Sequence, residues 1–120
     1  GGFDITKAAL SALSQHYSSG MATEVETSNT IERSLSRSAQ LLCPHTAIGV
    51  KVADDFRDHA VPMITLATAH PAKFPAAVRN ASEVNPSLPD RMSDLFDRSE
   101  RISKVANDPG ELKRFIKDRI

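Results

Sequence analysis

Apolar positions recur at helical spacing through the first forty residues and then change character. Between Ile5 and Tyr17, Leu10, Leu13 and Tyr17 fall three and four apart with alanines in the gaps, and Gly20 follows as a terminator, which predicts a first helix. The polar stretch "ATEVETSN" leads to Asn29, a capping side chain with Glu32 three residues on. A second helix is therefore expected from Asn29 to about Leu42, with Ile31, Leu35 and Leu42 as its buried stripe. Pro44 breaks that pattern, so a third helix should open after it, with His45 or Thr46 at its N-terminus. Ala47, Ile48, Val50, Val52 and Phe56 make this helix apolar around much of its early circumference, the mark of a buried start.

"VPMITLATA" then runs apolar without interruption, which predicts a strand at about 62–69 covered on both faces, as in a parallel sheet. It ends on Thr68, His70 and Lys73, with Pro71 between them. Further helices are expected at 75–81, near Pro89 with Met92, Leu95 and Phe96, and from Pro109. The last has Asp108 as N-cap, Glu111 as its box partner, and Leu112, Phe115 and Ile116 as its buried face. "SKVAN" has the composition of a short edge strand. One parallel strand cannot form a sheet by itself, and the chain opens on "GGFDIT" with no initiator Met. The expected architecture is α/β: a mostly helical C-terminal portion of a larger protein, with a helical part at 1–43, a helix, strand and helix at 44–82, and C-terminal helices at 83–120.

Composition narrows the function. Fifteen Lys and Arg balance fifteen Asp and Glu in 120 residues, so no net positive field favours nucleic acid or an anionic membrane. Cys43 is the sole cysteine, which excludes an internal disulfide and a CxxC metal site and favours a reducing compartment. No apolar stretch approaches the roughly 20 residues of a membrane span, and no basic-then-apolar leader is present, so a cytoplasmic protein is expected. His16 and His59 lack a second ligand one helical turn away and suggest no zinc site.

"LLCPHTAIGVKVA" at 41–53 and "PMITLATAHPAKFPAAV" at 62–78 are the specific segments. Together they resemble the C-terminal region of threonine synthase, whose pattern runs "LLDPHTAVGV" and then "LATAHPAKF". The flanking "FDIT", "SSG" and "LPDRMSDLFDR" extend the resemblance over nearly the whole chain. The departure is Cys43, which stands where the family pattern has Asp. The resemblance implies a fold type II pyridoxal-phosphate (PLP) lyase that turns O-phosphohomoserine and water into threonine and phosphate. In that family the lysine that bears the cofactor lies far upstream in a Phe-Lys-Asp motif, which these residues lack, so the chain alone is expected to be inactive. Two alternatives stand beside this reading: a small helical interaction domain with no cofactor, and part of another fold type II enzyme.

The resemblance also gives roles to residues. Thr68, at the end of the expected strand, would donate its hydroxyl to the cofactor's pyridine nitrogen; without the resemblance it reads as a buried hydroxyl bonded to a carbonyl. His45 and Thr46, opening the third helix, would sit where unpaired N–H groups favour a substrate phosphate or carboxylate, or would simply cap it. His70 would lie near the same site or be held by backbone hydrogen bonds. Lys73 reads as a solvent-facing charge and not as the cofactor's lysine. Cys43 has no evident base and reads as a buried thiol.

Overall fold

Among the described residues of a computed structural model, residues 2 and 4–120, the regular structure is helical throughout. Helix α1 (Lys7–Ser14) starts where the Thr6 hydroxyl accepts the Ala9 N–H at 3.2 Å, and it ends at Gln15, short of Gly20. Gly20 serves close approach: a Cβ there would lie 2.8 Å from a Val52 methyl.

Helix α2 (Glu24–Ser38) is capped by Thr23, six residues before the predicted cap Asn29. Thr23 and Glu26 form the reciprocal box first: the Thr23 hydroxyl accepts the Glu26 N–H at 3.2 Å, and the Glu26 carboxylate accepts the Thr23 N–H at 2.8 Å. Asn29 is left inside the helix. The Thr23 N–H and hydroxyl, with Lys51 adding a weaker pull, hold the Glu26 carboxyl below its ordinary 4.5. The carboxylate's contribution is therefore intact above that value and is lost as pH falls through the lowered folded one. Thr23→Ala is expected to cost about 1 kcal/mol, seen as faster amide exchange in the first turn of α2.

Pro44 does not delay helix α3 (Pro44–Asp55) but begins it. Its fixed φ suits the first helical position, where no N–H is needed. α2 packs against α3 and against α4 (Pro75–Ser82). The apolar core is small: Ile31 from α2, Ala47 from α3, Val78 from α4, with Cys43 and Ala72 from the joining segments. Thr27 and Thr30 are buried on α2, and each bonds back to the carbonyl one turn earlier, at 2.8 and 2.7 Å, so neither hydroxyl is left unsatisfied. Lys51 reaches Asp55 at 2.6 Å and the Met21 carbonyl at 3.4 Å, and Arg33 reaches Asp54 at 2.8 Å. These pairs are partly exposed and orient the helices more than they stabilise them.

The α/β expectation is corrected here. No strand forms among the described residues, and 62–69 is irregular chain with no ladder partner. Uninterrupted apolar character reports what a segment could bury, whereas a strand also needs a second strand to take its N–H and C=O groups. Neither this segment nor "SKVAN" has one. Ile64 and Leu66 are 82% and 77% exposed, and Val61 and Met63 are open as well. The segment runs beside α3, where a Cβ on Gly49 would lie 3.3 Å from the Thr65 methyl.

Gly1–Leu88 and Pro89–Ile120 are separate compact units. In the second, the helix expected near Pro89 is two 3-10 turns, Asp90–Met92 and Leu95–Asp97. Helix α5 (Pro109–Lys117) starts as predicted, the Asp108 carboxylate accepting the Glu111 N–H at 2.8 Å. The Glu111 side chain pairs with Arg114. Its expected buried face is open, Leu112 and Ile116 being about half exposed. Among the described residues no helix is long and apolar enough to cross a membrane.

Candidate functional site

The site is built where the start of α3 meets residues 67–74. Cys43, the residue before the helix, turns its Sγ to the Thr46 N–H at 3.4 Å and lies 3.2 Å from the Thr46 hydroxyl. That hydroxyl accepts the Thr68 N–H at 3.1 Å, across 22 residues of sequence. The Thr46 hydroxyl keeps a second lone pair and its hydrogen, so it can either donate to Sγ or accept from the thiol. Cys43 and Thr46 are buried, at 1% and 5% exposure, while Thr68 itself is exposed.

Burial pushes the Cys43 thiol up, but hydrogen bonds from the Thr46 hydroxyl and N–H, the Thr68 hydroxyl and the Ala69 N–H bring it below the ordinary cysteine value. The direct contacts to the sulfur are the Thr46 N–H and the Thr46 hydroxyl, at 3.4 and 3.2 Å. Among the described residues no base hydrogen-bonds to it, and it is only 1% exposed, so the thiol serves in the local hydrogen bonding and not as a nucleophile.

The two motifs also meet through their rings. His45, exposed on the first turn of α3, places its imidazole 4.7 Å from the Phe74 ring at 49°. The Lys73 ammonium lies 5.7 Å from the centre of the same ring, a cation-π contact. His70 caps the 3-10 turn Pro71–Lys73: its Nδ1 accepts the Ala72 N–H at 3.2 Å, which fixes the proton of the neutral ring on Nε2.

Two open clefts, each of about 420 Å³, share Thr68. Cys43, Thr46, Ala69 and His70 line one; His45, Gly49, Met63 and Leu66 line the other. Neither wall contains Asp, Glu, Lys or Arg. Their polarity comes from hydroxyls, imidazoles and the Gln40 amide, so the arrangement can present a hydroxyl donor at the edge of a largely apolar cleft.

Of the residues singled out from sequence, Thr46 and Thr68 are bonded to each other, His45 opens on one cleft and His70 on the other. Thr46 spends its N–H and its hydroxyl inside the protein. Cys43 is the buried thiol the sequence suggests, and its place directly before a proline at the first helical position makes it the cap as well. Sequence reasoning passed over Phe74, which gave no signal beyond its motif.

Residues 46–116 match the family described as threonine synthase, C-terminal. The chain is 44% identical to threonine synthase of Pseudomonas aeruginosa over 93 residues, which is 76% of this chain and 20% of that protein. It is 35% identical to threonine synthase of Corynebacterium glutamicum over 124 residues, 100% of this chain and 26% of that one. A crystal structure of PLP-bound threonine synthase from Brucella melitensis superposes with a TM-score of 0.77 at 44% identity, over 98% of this chain and 25% of that chain. The chain thus spans about a quarter or less of the length of these relatives.

Proposed function

Because this chain belongs to the threonine synthase C-terminal family, we propose that it forms one wall of a PLP site in a longer enzyme, a lyase that converts O-phosphohomoserine and water to threonine and phosphate. The observation that carries this reading is the closure of the two motifs around Thr68, whose N–H is held by Thr46 at 3.1 Å while its side chain stays open to both clefts.

The residues present fit one edge of the cofactor. A neutral hydroxyl at the border of a charge-free, largely apolar cleft suits the nitrogen edge of an aromatic ring. Nothing in the two clefts suits a cofactor phosphate or an amine linkage, which the rest of the enzyme would supply. When bound, the cofactor supplies the electron sink for carbanion chemistry. In this chain Thr68 would turn its one hydroxyl hydrogen away from Cys43 Sγ and donate it to the ring nitrogen, from a backbone fixed by Thr46. His70, with its proton on Nε2, and His45, on the opposite side of Thr68, are the groups that would meet an anionic substrate. Thr46 would serve that anion by fixing the helix start.

Exposure supports a wall more than a free-standing interaction domain. Val61, Ile64 and Leu66 stand open on a stretch adjoining the second cleft, an apolar patch of the kind that marks an interaction face. The test is to purify the full-length protein that carries this chain, measure bound PLP, and follow phosphate release from O-phosphohomoserine. PLP retention and phosphate release are expected there and no turnover from the 120 residues alone. A full-length protein without PLP, or turnover by the short chain, would overturn the reading.

A further inference from the structure

We propose that Cys43 and Thr46 act as a positioning pair that sets the Thr68 hydroxyl, an inference that rests on the cofactor wall just described. Thr68 needs an external tether, because it lies in irregular chain with no ladder partner and its neighbour Leu66 is 77% exposed. Thr46 supplies one from the first turn of α3, through the 3.1 Å bond to the Thr68 N–H. Thr46 is in turn held from behind: its N–H donates to Cys43 Sγ at 3.4 Å, and its hydroxyl shares a 3.2 Å hydrogen bond with the same thiol.

Pro44 completes the device, since its ring fixes the backbone between the cap and the helix. The relay thus runs from a rigid, buried helix start to an exposed side chain. Sulfur is a weak acceptor, and a carboxylate at this position would hold Thr46 more strongly. Both residues of the pair are buried, and their reach to the cleft is through Thr68.

The test uses the full-length holoenzyme, with PLP affinity and the absorbance spectrum of bound PLP as readouts and the melting temperature of the apoenzyme as a control. Thr46→Val is expected to weaken PLP binding about tenfold and to shift the absorbance band. Thr46→Ser, which keeps the hydroxyl, should restore affinity to within about twofold. Cys43→Ala should weaken it about threefold, since one support of Thr46 is lost. If Thr46→Ser loses as much as Thr46→Val, the methyl and not the hydroxyl matters, and the proposal is wrong. If Thr46→Val does not fold, Cys43→Ala decides: wild-type affinity and spectrum would overturn the relay. Failure of the cofactor wall itself looks different, because wild type would then hold no PLP or Thr68→Val would bind it unchanged.

Discussion

Truncating Ile31 to alanine is expected to destabilise the α2–α3–α4 cluster by about 3 kcal/mol, as a buried large-to-small change does when the cavity cannot collapse. Ile31 is 1% exposed and Val78 is 0% exposed, and they are two of the five buried apolar residues among the described residues. With so few apolar side chains in the core, no neighbour of comparable size can move into the gap. The flanking buried positions on α2 are Thr27 and Thr30, whose hydroxyls are committed to backbone carbonyls. The loss is best read by native-state hydrogen exchange in the full-length protein, which reports the local cluster and does not require the whole enzyme to unfold in one step. Protection of the slowest amides in α2, α3 and α4 should fall by about two orders of magnitude. A fall of less than threefold would mean that this cluster is not what holds α3, and hence Thr46, in place.

What could be read from the sequence divides by how local the physics is. The starts of α4 and α5 were legible because a proline at the first helical position and, for α5, an aspartate cap are short-range signals. The start of α2 was misplaced because Thr23 with Glu26 and Asn29 with Glu32 offer the same three-residue spacing. Position alone does not say which box closes; the one nearer the N-terminus lengthens the helix and satisfies its donors sooner. The stretch 62–69 misled for a different reason: its apolar run describes a burial demand, and the Gly1–Leu88 unit leaves Ile64 and Leu66 exposed. The site was partly legible. Both motifs stood out by composition, and the resemblance named Thr68, but the bond from Thr46 to Thr68 joins residues 22 apart and depends on how the chain returns past α3. Cys43 reads from sequence as a buried thiol, and it is buried at 1% exposure, but its contacts with the Thr46 N–H and hydroxyl show it also caps α3.

Thr68→Val in the full-length enzyme is expected to lower kcat/KM by about 10²-fold, the scale of losing one preorganised donor to a group whose charge changes during reaction. Valine keeps the shape of threonine and leaves the backbone alone, so the Thr68 N–H can still donate to Thr46 and the segment stays tethered. That separates the hydroxyl from its support, which the Thr46 variants do not. The side chain is exposed, so no cavity forms in the core and stability should change by less than about 0.5 kcal/mol. Thr68→Ser, which keeps the donor, should stay within about tenfold of wild type. The kinetic split carries the decision. A hydroxyl acting on the cofactor lowers kcat and alters the bound-PLP spectrum, whereas one that only helps to shape the cleft raises KM with kcat unchanged. Wild-type kcat and an unchanged spectrum in Thr68→Val would assign the hydroxyl to Cys43 alone, as one more donor to the buried sulfur.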